Sequence, residues 1–211
     1  MKKRNNTWSF DKWAGRYDKI ITEDKDTFAR YDEVLDRVVE VCKLSKGKRI
    51  LDIGTGTGNL AFRCLNKGGA DVIGIDPSEP MLAKARKKVK RKSRIEFQQV
   101  DDPFLVNPYS DNYFDAVVNT YAFHHVPHRL KPRCVKEMIR VLKPSGVWAL
   151  GDLVFENKEK EKQALKKYDW LDEDEYFERI DELDKVFKTL GMKLQVEQFT
   201  PVVWVLWAKK P

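Results

Sequence analysis

Cysteine, histidine and long apolar runs are all scarce in this sequence. Its three cysteines, Cys42, Cys64 and Cys134, lie far apart with no CxxC pair among them, which excludes a disulfide framework. They read as ordinary reduced cysteines of a cytosolic protein. No apolar segment of seven or more residues follows the opening Met1-Lys2-Lys3-Arg4, and no run approaches membrane-spanning length. A soluble, cytoplasmic protein without a membrane partner is therefore expected. Internal repeats and low-complexity linkers are also missing, and 211 residues are enough for one well-buried α/β domain without requiring two.

Charge is plentiful but unevenly placed. The formal net charge of +7 would suit a nucleic-acid partner if it were spread as a basic surface. Instead, eight of the eleven residues from Lys84 to Arg94 are basic, while eight of the thirteen from Asp172 to Asp184 are acidic. The basic run has no interleaved aromatics to stack bases, so a solvated helix face is the first reading and a phosphate-binding patch the second.

The stretch that orders the chain runs from Ile50 to Leu60. Ile50-Leu51-Asp52-Ile53 is too short for a helix, and it turns into Gly54-Thr55-Gly56-Thr57-Gly58 before an amphipathic segment that starts at Asn59. That pattern predicts strand, tight turn and helix, with the helix N-terminus offering unpaired N–H groups to a ligand. A second apolar run ends at Asp76, 22 residues after Gly54. A carboxylate at the tip of the next parallel strand is placed to accept both hydroxyls of a ribose, so the ligand contains a nucleoside. A dinucleotide fingerprint would need glycine at position six of the turn, which is Asn59 here, with the third glycine one residue early at Gly58. Asp52 would oppose a pyrophosphate but could meet a cation such as an amino-acid ammonium.

Asp-Ile-Gly-Thr-Gly-Thr-Gly followed by Gly-Ile-Asp resembles motif I and the next acidic strand of the class I S-adenosylmethionine methyltransferases. Over the whole chain the order of elements is similar to that family. Phe10-x-x-Trp13-Ala14-x-x-Tyr17-Asp18, Thr120-Tyr121-Ala122-Phe123-His124-His125 and Val203-Trp204 resemble the small YrrT-type bacterial methyltransferases. The resemblance implies a doubly wound, Rossmann-like α/β fold with a seven-stranded, mostly parallel sheet, a C-terminal antiparallel hairpin and an N-terminal helical cap. A single methyltransferase domain over 1–211 is expected, divided into a cap (1–46), a cofactor-binding core (47–155) and a helical insertion with the hairpin (156–211).

Outside the glycine turn, the aromatic stripe Phe10, Trp13, Ala14 and Tyr17 predicts a helix, and a second amphipathic helix is expected near Phe28 to Leu44. The stripe is either packing or a lid, with Tyr17 and Asp18 reaching inward. Ser78 is a plausible N-cap for a helix starting near Pro80. All three histidines fall between His124 and His128, after the fourth predicted strand. His124 or His125 is the natural base for a protonated acceptor, since imidazole titrates near neutrality. The alternative is that one lines the cofactor and the other caps the loop. Tyr17, Tyr121 and Asp152 are secondary candidates.

The resemblance implies S-adenosyl-L-methionine as cofactor, held by Tyr17, Asp52, Gly54, Thr55, Gly56, Gly58, Asp76, Pro77, Met81, Asp101, Asp102 and Asn119. Asp101 would bind the adenine amino group, the backbone of its neighbour Asp102 would face the ring, and Met81 would lie against it. No third oxygen or imidazole ligand stands at a suggestive spacing from that acidic pair, so no metal is expected. An Asn/Asp-Pro-Pro-Tyr loop, as in nucleic-acid N-methyltransferases, is absent at Asn119-Thr120-Tyr121-Ala122, as is a Pro-Cys nucleophile. A small-molecule acceptor is expected, with an RNA methyltransferase or a non-catalytic cofactor-binding protein as alternatives.

Overall fold

The computed structural model describes residues 10–91, 93–105 and 109–211. The cap residues before Phe10 and Lys92 of the basic run lie outside the described residues. The cap holds α1 (Asp11–Ala14), α2 (Tyr17–Glu23) and α3 (Tyr31–Val41). Then come β1 (Arg49–Ile53), α4 (Asn59–Gly68), β2 (Asp71–Asp76), α5 (Glu79–Lys88), β3 (Ile95–Gln99) and β4 (Phe114–Thr120). The second half adds α6 (Lys131–Val141), β5 (Leu142–Phe155), α7 (Lys158–Lys167), β6 (Glu178–Arg179), α8 (Ile180–Thr189), β7 (Gln195–Gln198) and β8 (Val203–Lys209).

Seven strands form one sheet in the order β3-β2-β1-β4-β5-β8-β7. β1 to β5 are parallel, whereas β8 runs antiparallel between β5 and β7. The expected seven-stranded sheet is thus present, and β6 adds an eighth, two-residue strand beside Val154 and Phe155. Nothing in the charged pattern around Glu178 announces so short a strand.

Period-two alternation sorts the strand residues between two cores. Ile50, Val118, Ala149 and Val205 face one core with Val34 and Val38 of α3, Leu60 of α4 and Leu82 of α5. Their neighbours Leu51, Val117, Leu150 and Leu206 face the other, against Val135 and Met138 of α6 and Phe187 of α8. With both faces covered, ligands are left the carboxyl ends of the strands, where the order reverses between β1 and β4.

The cap departs from the predicted pattern in two places. The aromatic stripe is not one helix, because the chain leaves helical hydrogen bonding around Gly15 and Arg16 and restarts at Tyr17. Glycine is a poor helix interior residue, and Arg16 sits at φ −116°. The second helix starts at Tyr31 rather than near Phe28, because Asp24 Oδ1 accepts the N–H groups of Asp26 and Thr27 and Arg30 adopts φ +59°.

The described basic residues of the run are exposed apart from the half-buried Lys84, as a solvated face requires, but several are also engaged within the protein. Lys84 Nζ donates to the carbonyl of Gly15 at 2.9 Å, and Lys88 Nζ pairs with Asp18 at 3.1 Å and donates to the carbonyl of Thr57 at 3.0 Å. Arg86 donates to the carbonyl of Phe97, and Arg94 pairs with Asp71. Lys84 and Lys88 thus fasten the cap to α5. No helix among the described residues is long and apolar enough to cross a membrane.

Candidate active site

The turn after β1 has the backbone that its glycines predict. Gly54 sits at φ +68°, and a Cβ there would lie 2.6 Å from that of Ala122, so a side chain would push apart the loops after β1 and β4. Gly58 is the left-handed N-cap of α4 at φ +86°, where a Cβ would meet the ring of Phe97 at 2.9 Å. Between them, the N–H of Gly56 donates to Asp76 Oδ2 at 2.8 Å, and the N–H of Ser78 donates to Asp76 Oδ1 at 2.8 Å. Burial nonetheless pushes the Asp76 carboxyl up to about 6, against those two bonds. Ser78 caps α5, as expected, by accepting the N–H of Met81.

Asp52, 1% exposed, ends on the same side. Its Oδ2 accepts the Thr55 hydroxyl at 2.6 Å, while its Oδ1 is buried without a hydrogen-bond partner. Burial pushes this carboxyl up to about 7. Tyr17 and Gly54 line both the crevice containing Asp52 and a cavity of about 650 Å³ that opens beside it. The turn therefore offers an orphaned carboxylate oxygen to a cation and, on Asp76, oxygens whose second lone pairs can accept hydroxyls. That donor and acceptor set fits an amino-acid ammonium and a ribose.

The larger cavity gathers Tyr17, Gly54, Gly56, Asp76, Pro77, Met81, His124 and His125 from the expected set. Thr55 and Asp52 border the adjoining crevice. Asp101 and Asp102 do not reach the wall. Both are exposed at the exit of β3, and Asp102 Oδ1 turns back to accept the N–H groups of Phe104 and Leu105, which leaves Pro103 and Phe104 facing the cavity. Asn119 is likewise off the wall. Its Nδ2 donates to the carbonyl of Ile53, tying β4 to β1, and its Oδ1 is buried and unpartnered.

The two histidines have different environments. His124 Nδ1 lies 2.5 Å from Asp152 Oδ1, and Asp152 Oδ2 accepts the N–H of Phe123 at 3.0 Å. Burial works against charge on this ring, but Asp152 outweighs it and holds the His124 pKa above its ordinary value. Burial also opposes ionisation of Asp152, yet His124 holds its carboxyl below the usual range. His125 Nδ1 pairs with Glu175 Oε2 at 2.7 Å. Burial first, and then the neighbouring His124 charge, lower the His125 pKa. The pair therefore differs in sense: Asp152 favours the charged form of His124, whereas burial and His124 favour the neutral form of His125 on the cavity wall.

Sequence reasoning missed Glu175, which is 50 residues from His125 and hidden in an acidic run with no periodic signal. It also missed Lys131, whose buried ammonium pairs with buried Glu178 and donates to the carbonyl of Phe123 at 2.9 Å, bracing the histidine turn from beneath. Ligand atoms of His124, His125 and Glu175 come within 4.8 Å of one another, a grouping that could hold a metal ion. Two of their facing atoms, His125 Nδ1 and Glu175 Oε2, are already paired with each other.

A family profile described as a methyltransferase domain matches residues 50–146. An uncharacterized methyltransferase of Oceanobacillus iheyensis is 33% identical over 95% of this chain and 95% of its own length. The uncharacterized methyltransferase YrrT of Bacillus subtilis is 31% identical over 95% of this chain and 96% of its own. Among solved structures, magnesium protoporphyrin IX methyltransferase from Synechocystis, determined with bound SAH, superposes with a TM-score of 0.76 at 17% identity, covering 96% of both chains. At that identity the likeness concerns the fold. The glycine turn, the strand order and the full-length similarity agree, and the chain belongs to the methyltransferase family that includes these bacterial relatives.

Proposed function

We propose that the protein transfers the methyl group of S-adenosyl-L-methionine to a small-molecule acceptor held in the 650 Å³ cavity. The observation that carries this reading is the pairing of Asp76, held by the N–H groups of Gly56 and Ser78, with the orphaned Oδ1 of Asp52 next to it. Asp76 receives the ribose hydroxyls, Asp52 the ammonium, and Pro77 and Met81 flank the base. Asp101, Asp102 and Asn119 stand back from the wall. When bound, the cofactor supplies a methyl group already activated on a sulfonium.

The protein's remaining work is to orient the acceptor and exclude water, and such positioning can lower a barrier by about 7 to 11 kcal/mol in favourable cases. Trp13 and Tyr17 roof the cavity from the cap, while Trp170, Tyr176 and Phe177 close it from the segment after α7. His125, turned by Glu175 through Nδ1, presents Nε2 as the proton-accepting nitrogen. Asp152 is a positioning residue, since it touches His124 and backbone N–H groups.

A small acceptor is favoured over RNA because Lys84, Lys88 and Arg94 are engaged within the protein. Calorimetry with S-adenosylmethionine, adenosylhomocysteine and NAD tests the cofactor, and tighter binding of NAD would overturn the assignment. Incubation with labelled cofactor, comparing a low-molecular-weight extract with total RNA, tests the acceptor. Label in RNA would make the nucleic-acid reading the better one, and cofactor binding with no label in either fraction would favour a non-catalytic binder.

A further inference from the structure

The outer half of the cavity has a charge balance opposite to that of the chain. Lysine and arginine make up 40 of the 211 residues, yet none lines this cavity among the described residues. Its walls instead carry five carboxylates, Asp24, Asp76, Asp172, Asp174 and Glu175. Asp76 belongs to the glycine turn. The other four come from the end of α2 and the segment after α7. Asp24 and Asp172 are satisfied by backbone N–H groups, Asp26 and Thr27 for the first and Asp174 for the second, rather than by a cationic side chain. Glu175 faces a histidine whose burial disfavours charge.

Aromatic rings stand among these carboxylates. Phe10, Trp13, Trp170 and Tyr176 all line the cavity, and the Phe10 ring lies 4.8 Å from that of His125. A separate observation points to a ligand in the same space. Tyr121, 6% exposed, has a buried hydroxyl with no hydrogen-bond partner, and it lines the cavity between the cap and the histidine turn. Such a group is costly to leave unpaired unless a ligand completes it.

We infer that the methyl acceptor is an amine, which enters as its ammonium ion between these carboxylates and aromatic faces and is methylated on nitrogen. This rests on the methyltransferase reading above and names the acceptor class for the same site. Carboxylates clustered around a cavity repel anionic acceptors and concentrate cations, and aromatic faces add attraction for an ammonium. The hydroxyl of Tyr121 can accept one ammonium N–H.

The step balances with groups already present. The ammonium gives a proton to His125 Nε2, which leaves a neutral amine. The nitrogen lone pair forms the bond to the methyl carbon while the carbon–sulfur bond breaks and its electrons pass to sulfur, which becomes a neutral thioether. Nitrogen now carries the methyl group and the positive charge, and the proton on His125 passes to water. No oxidant or further reactant is required.

The test uses three probes of one shape and different charge, namely phenethylamine, phenethyl alcohol and 3-phenylpropionate, titrated at pH 7 into the full protein saturated with adenosylhomocysteine. Saturation is measured first, so a failure of adenosylhomocysteine to bind overturns the methyltransferase reading itself and is distinguishable from failure of the amine proposal. Phenethylamine is expected to bind at least tenfold more tightly than the alcohol, with the carboxylate weakest. Changing Asp172→Asn and Asp174→Asn together, both at exposed positions, is expected to erase that preference while adenosylhomocysteine affinity stays within twofold. Equal binding of the amine and alcohol, preference for the carboxylate, or no binding of any probe to the saturated protein would overturn the inference, as would an amine preference that survives the double substitution.

Discussion

His124 and Asp152 form a buried pair, Nδ1 to Oδ1 at 2.5 Å, that joins the turn after β4 to the carboxyl-terminal part of β5. Asp152 also accepts the N–H groups of Phe123 and Leu153, so one carboxylate fixes both the ring and the backbone that carries it. Replacing Asp152→Asn leaves a buried imidazolium without its counter-charge and should lower stability by about 3 to 5 kcal/mol. The pH dependence has a definite sign. The His124 pKa is raised on folding, so its contribution is full below its ordinary value of 6.5 and is lost as pH rises through the higher folded value. The Asp152 pKa is lowered, so its contribution is present above 3.8 and lost as pH falls through the folded value. Urea unfolding of wild type and Asp152→Asn between pH 5 and 9 checks this, and an equal stability difference at every pH would refute the pairing.

In the proposed site Asp76 serves both the ribose and the turn. In Asp76→Ala the N–H groups of Gly56 and Ser78 lose their acceptor, and the ribose loses its partner. Hydrogen bonds to a charged group contribute about 1.5 to 3 kcal/mol each, so cofactor affinity should fall at least tenfold by calorimetry. Unchanged affinity would show that this strand tip does not meet the ribose.

Cofactor binding should release protons and strengthen with pH. Burial holds Asp52 near 7 and Asp76 near 6 in the ligand-free protein, so each is partly protonated in neutral solution. An ammonium beside Asp52 favours its ionised form, and binding must displace the proton wherever the carboxyl is still neutral. Affinity for S-adenosylmethionine is therefore expected to drop as pH falls from 8 to 5.5. Calorimetry in buffers of different ionisation enthalpy counts the protons released, and a pH-independent affinity with no release would place the ammonium elsewhere.

The cap should tighten when the site is filled. Asp18 accepts the Thr57 hydroxyl at 2.6 Å and pairs with Lys88, while Asp11 accepts the Ser78 hydroxyl at 2.7 Å, so the cap is tied to the turns after β1 and β2, the two proposed to hold the cofactor. Trp13, 54% exposed, still has apolar surface to bury over a ligand. Hydrogen exchange from Trp13 to Tyr17 is expected to slow with adenosylhomocysteine and to quicken in Asp18→Ala. Equal exchange with and without ligand would reduce the cap to packing.

Local spacing made the first half of the site readable. Three glycines at alternate positions can follow Ile53 only as a turn with positive φ, and Asp76 must end the next strand because the apolar run stops there. Ser78 announced its own N-cap. These features depend on residues a few positions apart, whereas the doubly wound sheet was expected from the family resemblance. The break of the cap helix at Gly15 was less legible, since one glycine in an amphipathic stripe is often tolerated.

The sequence by itself determined the strand, the glycine turn, the acidic strand tip and the clustering of histidines, because short-range sterics and periodicity act within a few residues. Tertiary structure decided what those groups face. It turned Asp102 back onto its own chain, away from the cavity, and engaged Lys84 and Lys88 in holding the cap. It also gave two adjacent histidines opposite tendencies, with Asp152 beside one and Glu175 beside the other. Those carboxylates lie 28 and 50 residues away along the chain, and burial competes with pairing to set the charge of each ring. Desolvation and long-range pairing exist only once the sheet and its insertions have packed, so no local pattern could have announced them.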